Sequence, residues 1–532
     1  MESLSETPWD VVIAGTGLAQ SLLALALSRS GKKVLHVDRN PYYGGSEAAF
    51  SLDEASEWMD SVNQHPGKSS FEDAKIVNYP HLQDPPRSPP SQTGSQTSEL
   101  PQSTLAIRPK LAASRAYTLS LSPYFLYTRS ELISILLSSK IYRQLEFMAV
   151  GSWWIYSSDT ESGELGATQA FHRVPGNRED IFADTHISMK SKRVLMRFLR
   201  QISKSKDEED GLERDDDLQV PFADYLSSNF SVPEDLHYPL LSLSLSQMSH
   251  QNTAASYALS RIKRHLASIG ALGPGFGGVV SKYGGASEIV QVACRASAVG
   301  GGIYALDTGI QSLHNPESVA EAEHSVTVQL SNGESVRTKF VVGSFWDLPL
   351  QTQPSCTKVA RSITIASSDF ASLFPVTVEG APVPASAILM FSGDSLNSPQ
   401  SPPVYLQVHS SDTGDCPRQQ SVIYGSIALP GRDGHHLLEC AVGRLLRAEG
   451  PQAIALWSMR YSQLGRLSND GSLPSIQTCS PHVLAFPPPS LDLALEDDNI
   501  DIVKQAWVKI VGDEVAHEDF MIFDDREGTS DD

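Results

Sequence analysis

Cysteine is scarce and unorganised in this chain. The five present, Cys294, Cys356, Cys416, Cys440 and Cys479, are scattered, odd in number and form no C-x-x-C pair. This argues against a disulfide framework and fits a reduced, intracellular protein. Long apolar runs are missing too: no stretch approaches the roughly 18 uninterrupted apolar residues that a membrane span needs. Positive charge is in short supply, with 41 Lys and Arg against 62 Asp and Glu and a formal net charge of −21. That argues against nucleic acid as a partner and against a purely electrostatic hold on anionic membranes, and it permits a partner with a basic surface. No G-x-S-x-G elbow and no G-x-x-x-x-G-K-S/T phosphate loop occurs. Met1–Asp10 is acidic and polar, unlike a secretory leader, and Gly528–Asp532 offers no cysteine for a prenylation box.

What is present reads as α/β. In 532 residues, 40% hydrophobic and 19% charged, there is room for a large core, either as two to four domains or as one body with inserted parts. Val11–Ala14 is a short apolar strand and Gly15–Gly17 a tight turn. Leu18, Leu22, Leu25 and Ala26 recur at helical spacing, Gly31 closes that helix, and Val34–Asp38 is a second strand. Strand, glycine turn, helix and strand within some 30 residues make a parallel βαβ unit of the dinucleotide-binding kind. The fingerprint is damaged, however. Gly15 and Gly17 supply the turn and the close approach, but Gln20 stands where a third glycine or alanine belongs. Asp38 ends the second strand where an acid would meet a ribose hydroxyl. The fold signal is strong and the cofactor signal weak, so no bound cofactor is expected.

Residues 1–61 are read as the first part of domain I. Residues 62–113 hold eight prolines and are read as a disordered insertion. Domain I resumes over 114–185, with a helix expected over Glu131–Leu145. His186–Ile202 is basic and amphipathic. Asp207–Asp217, with eight acids in eleven residues, reads as a solvated loop, and Phe222–Ile269 as a helical block capped by Gly270. Residues 186–270 are therefore assigned to a smaller helical domain II and 271–512 to the rest of domain I. There Asn332-Gly333 marks a hairpin between Ser325–Leu330 and Ser335–Thr338, and Phe340–Gly343 reads as another strand. Residues 361–442 contain several strand-like runs, and 513–532, with nine acids, reads as a frayed tail. His435, His436, Glu439 and Cys440 could face a metal only on a helix, and no metal site is expected.

Several segments together resemble the Rab GDP-dissociation inhibitor and Rab escort protein family. They are Gly15-Thr16-Gly17-Leu18 with Lys32–Gly45, then Arg115–Pro123, Leu136–Phe147 with Gly151-Ser152, and Phe171–Pro175. Leu259–Gly270, Tyr283–Arg295, Gly301–Tyr304 and Val503–Phe520 follow in order. The likeness is weakest around 350–480. It implies a flavoprotein-like fold, a three-layer ββα domain I with a smaller helical domain II, used without cofactor or catalysis. It also implies binding of GDP-loaded Rab GTPases. By position, the Rab platform would comprise Tyr43, Glu288, Gln291 and Arg295, with Arg115 beside them. The family's Gly-Glu-Leu-Pro-Gln is here Ser287-Glu288-Ile289-Val290-Gln291.

The chain's length, its insertion and Gln247–Gly270 resemble escort proteins more than inhibitors. An escort protein presents unprenylated Rab to the geranylgeranyltransferase heterodimer, holds the lipid and delivers the product by transient membrane contact, cycling from the cytosol. A dissociation inhibitor is the alternative within the family, and a flavin oxidoreductase the alternative outside it. Against the latter, His482–Phe486 runs into Pro487-Pro488-Pro489, where flavin enzymes place Gly-Asp.

Overall fold

The computed structural model describes residues 4–79, 110–157, 170–176, 178–183, 187–202, 218–314, 325–350, 354–468, 473–512 and 520–523. Two sheets organise it. The first runs, in spatial order, Ile303–Ala305, Val34–Val37, Trp9–Ala14, Ser335–Ser344, Val326–Leu330 and Ile310–His314. Trp9–Ala14 pairs in parallel with both Val34–Val37 and Ser335–Ser344, and Val483–Phe486 adds in parallel to the latter. The period-2 alternation of the opening strand sorts its two faces. Val11 and Ile13 join the core beneath the helices Leu18–Arg29, Ala286–Val299 and Asp498–Val511, whereas Val12 and Ala14 face the core closed by the Val326–Leu330 hairpin. This is the α/β architecture expected from the βαβ signal, in the flavoprotein-like form that the family resemblance implies.

The second sheet is larger. Its order is Phe71–Asn78, Ala455–Gly465, Thr357–Ala366, Ser421–Ile427, Val404–Ser410, Ser386–Phe391, Phe147–Tyr156, Gly278–Ser281 and Leu126–Tyr127. The helix Gly431–Glu449 covers one face through Leu437, Leu438, Ala441 and Leu445. The helices Met189–Ile202, Phe222–Tyr225, His237–Ser244 and Ala255–Ser268 lie against the other. Phe198, Phe222, Leu241 and Ile262 share one core with the sheet residues Trp153, Ile388, Met390 and Tyr405. Each such buried side chain contributes about 1.5–3 kcal/mol, so the helical block is welded to the sheet by the core it shares.

Several boundaries differ from the sequence reading. The disordered insertion expected from residue 62 is cut short, because Phe71–Asn78 is an edge strand whose Phe71 packs on Trp58 and Tyr461. Residues 80–109 of that segment lie outside the described residues, as does Asp207–Asp217. The helix expected over Glu131–Leu145 stops at Ser138, since Lys140 turns to positive φ and a 3-10 turn, Ile141–Gln144, follows. Ser335–Thr338 and Phe340–Gly343 are one continuous strand. The strand-like runs of 361–442 are Thr357–Ala366, Ser386–Phe391, Val404–Ser410 and Ser421–Ile427, and from Gly431 the segment turns into the helix Gly431–Glu449, whose apolar residues pack on the sheet. Within the acidic tail, Phe520 and Met521 are buried beside Trp507, and Ser138 Oγ donates to the Met521 carbonyl at 3.0 Å. Apolar burial outweighs the acidic composition there.

Candidate functional site

The glycine turn is folded tightly onto its own chain. Gly15 has φ +82°, and a side chain there would place its first carbon 2.3 Å from Asp347 Oδ2. At Gly17 the same test meets Gln20 Oε1 at 2.9 Å and Glu47 Oε2 at 3.2 Å. The Glu47 carboxylate also accepts from the Leu18 amide at 3.4 Å, so it sits at the helix N-terminus where this fold receives pyrophosphate. Asp38 is consumed internally. One oxygen accepts from the Thr16 amide (2.8 Å) and hydroxyl (2.6 Å), the other from the Asn40 amide (2.8 Å) and side chain (2.9 Å).

The electrostatics follow from this crowding. Burial, with the neighbouring Asp347 charge, raises Asp38 to about 6. Burial also raises Glu47 and Asp347. A cavity of about 390 Å³ remains beside the turn, bordered by Trp58, Phe71, Tyr124 and Pro487–Pro489. Glu47, Asp347 and Gln20 crowd the place of a dianionic pyrophosphate, and Asp38 is already bonded within the turn, so these residues do not fit a flavin dinucleotide. Gly15, Gly17, Gln20 and Asp38 act together, as parts of a turn bonded to itself.

A second constellation faces outward. The helix Ala286–Val299 buries Ile289, Val290, Val292, Ala293 and Cys294. Its other side presents Gln291 and Arg295, both exposed, and the half-buried Glu288. The spacing of three and seven residues puts all three on one stripe. Burial raises the Glu288 carboxyl, and the Arg295 charge partly offsets this. Arg295 also reaches Gln144 Oε1 at 3.5 Å. Tyr43 flanks the same helix, half-buried, its ring 6.1 Å from that of Tyr304. Burial, with Cys294 nearby, raises its phenol. Arg115 is exposed on a separate turn, Ser114–Ala116, and forms no hydrogen bond or ion pair with the stripe among the described residues.

The turn that launches this helix is held by residues the sequence did not single out. Tyr283, Gly284 and Gly285 all have positive φ. The Gly284 amide donates to Asp415 Oδ1 at 3.1 Å. Asp415 Oδ2 receives His409 Nδ1 at 2.7 Å and the Tyr424 hydroxyl at 3.1 Å. This buried set fixes where the stripe begins, and no local motif marks it, because its members meet only through tertiary pairing.

Comparison with known proteins decides the family. A family model described as GDP dissociation inhibitor matches residues 5–75 and 99–373, more than half of the chain. The chain belongs to this family. The GDP dissociation inhibitor family resemblance carried by the glycine turn and Lys32–Gly45 is thereby borne out. Among relatives, the chain is 28% identical over 423 residues to the Candida albicans protein named Rab proteins geranylgeranyltransferase component A. That match covers 78% of this chain and 59% of the relative. It is 30% identical over 327 residues to the Saccharomyces cerevisiae protein of the same name, covering 60% and 47%. The chain thus spans about half to three-fifths of these relatives. A crystal structure of Rab GDI from Plasmodium falciparum shares the fold, with a TM-score of 0.65 at 17% identity, covering 96% of this chain and 99% of that one.

Proposed function

We propose that this family member is a Rab escort protein, a non-catalytic accessory component of Rab geranylgeranyltransferase. It binds GDP-bound, unprenylated Rab, presents it to the transferase heterodimer and carries the prenylated product from the cytosol to membranes. The observation that carries the reading is the outward stripe Glu288–Gln291–Arg295 with Tyr43 beside it, on a helix whose launching turn is fixed. A carboxylate and a guanidinium on a rigid helix dock and orient a folded partner, and tyrosine is enriched at such anchors. The names of the relatives, geranylgeranyltransferase component A, support escort over the inhibitor alternative. The self-filled glycine turn supports a scaffold used without a cofactor. Arg115 enters as a peripheral contact.

In this reading residues 186–270 form domain II and handle the lipid. A twenty-carbon prenyl chain, at roughly 0.8 kcal/mol per buried CH₂, carries on the order of 10 kcal/mol of apolar burial. Released into water, such a product would aggregate, and an apolar helical block offsets that cost. Affinity for a GDP-loaded, unprenylated Rab tests the platform. Arg295→Glu is expected to weaken binding at least tenfold with unchanged unfolding behaviour. Equal affinity of the two proteins would remove Arg295 from the interface.

A further inference from the structure

The helix Met189–Ile202 carries a charge pattern that the platform does not explain. Residues 187–202 contain five cations, Lys190, Lys192, Arg193, Arg197 and Arg200, and no acid, in a chain whose net charge is −21. Two of the five are held by backbone carbonyls. Lys192 is buried and donates to the Phe182 carbonyl at 2.9 Å, and Arg197 donates to the Phe230 carbonyl at 2.6 Å while lying over that ring. Lys190, Arg193 and Arg200 are exposed and form no ion pair among the described residues. At about 100° per residue, these three and Met189 fall within roughly a third of the helix circumference. Met189 is 62% exposed. The opposite side buries Leu195 and Phe198 in the core shared with the second sheet, so the outward direction of the stripe is fixed.

We propose that this face is a docking surface for an anionic lipid bilayer, used when the helical block meets a membrane. The occupant follows from charge complementarity. Cations that form no ion pair among the described residues, with an exposed apolar side chain beside them, suit a plane of anionic headgroups. They are the local exception on a molecule that anionic surfaces otherwise repel. The proposal rests on the escort reading for its purpose, but the surface can be tested with no Rab present.

The test is co-sedimentation of the full chain with vesicles of phosphatidylcholine, alone or with about 30 mol% phosphatidylserine. Binding is expected to the mixed vesicles only and to fade as salt rises. Each cation near the surface contributes about fivefold in partition, so Lys190→Gln/Arg193→Gln/Arg200→Gln is expected to lower binding on the order of 100-fold. The same variant keeping its circular dichroism and its Rab affinity excludes misfolding as the cause. Arg193→Glu alone, a milder change, should lower binding more than tenfold. Equal binding to both vesicle types, or no effect of either variant, overturns the proposal. Binding that emerges only after the acids of Asp207–Asp217 are neutralised assigns the stripe to that segment and also overturns it. So does a triple variant that loses the transferase yet keeps the vesicles. Failure of the chain to promote prenyl transfer sinks the escort reading and leaves the vesicle result standing.

Discussion

Asp415 accepts the amide of Gly284 at 3.1 Å across 131 residues of chain, and with the Tyr283 amide on the Thr413 carbonyl this contact ties the start of the helix Ala286–Val299 to a loop of the second sheet. The same carboxylate holds His409 and Tyr424. Asp415→Ala leaves three buried donors without an acceptor, so a loss of about 3 kcal/mol or more is expected. Asp415→Asn, which keeps an acceptor for Gly284, should cost less. Urea unfolding measures the stability difference. Rab affinity of the folded fraction should fall for the alanine variant, because the turn that aims Glu288 and Arg295 loses its anchor. Wild-type stability in Asp415→Ala would show that the network is not structural.

Gly15 and Asp347 make a second expectation. Gly15→Ala carries the penalty of φ +82° for a side-chain-bearing residue and places a carbon 2.3 Å from the Asp347 carboxylate. The two together should cost about 3 kcal/mol. Asp347→Ala relieves only the contact, so the double variant should recover part of the loss. A double-mutant cycle by chemical denaturation tests this. Strictly additive effects would mean that the two residues do not share the space.

Acid should destabilise the fold through two buried histidines. Burial lowers His36 and His265 from 6.5 to about 4. Between those values the unfolded chain takes up a proton that the folded chain refuses. Stability present above pH 6.5 is therefore lost as pH falls toward 4, by about 3 kcal/mol per site as an order of magnitude. Asp38 acts in the opposite sense. Its carboxyl is raised from 3.8 to about 6, so it stabilises the fold at low pH and loses that contribution as pH rises through 6. Melting temperature against pH for wild type and His265→Phe separates the terms. The variant should have the shallower acid limb, because phenylalanine fits among Tyr127 and Trp153 without titrating. An unchanged slope would refute the assignment.

Glu496 bolts the helix Ala255–Ser268 to the segment that follows the strand Val483–Phe486. Its carboxylate meets Arg261 at 3.2 Å and Arg264 at 2.7 Å, and Arg264 also reaches Asp497 at 2.8 Å. Glu496→Ala removes one carboxylate from each guanidinium but leaves Arg261 on Asp492 and Arg264 on Asp497, so it should cost about 1–2 kcal/mol. Hydrogen exchange should quicken in Ala255–Ser268 before the first sheet responds. Uniform change across both would argue that the block does not open as a unit.

Legibility followed the range of the interactions. Gly15, Gly17, Asn332-Gly333 and the short apolar run Val11–Ala14 act within a few residues, so the sequence displayed the turn, the hairpin and the central strands of the first sheet. Glu47 on the Leu18 amide, Asp347 in the crook of Gly15 and Arg264 on Glu496 join residues 29, 332 and 232 positions apart. No local pattern announces such pairs. Phe71–Asn78 escaped because its alternation is broken by Glu72, Asp73 and Lys75 and because prolines crowd the segment around it. Gln20 did signal a filled cofactor turn, and the structure adds the carboxylates that complete the filling.

The most direct measurement of the central claim is prenyl transfer reconstituted from unprenylated Rab, the transferase heterodimer and labelled geranylgeranyl pyrophosphate. Adding this chain should raise incorporation into Rab at least tenfold, and Arg295→Glu should restore that rate only at higher concentration. Incorporation that is indifferent to the chain, while the chain extracts prenylated Rab from membranes, would contradict the escort account and assign the protein to dissociation inhibition.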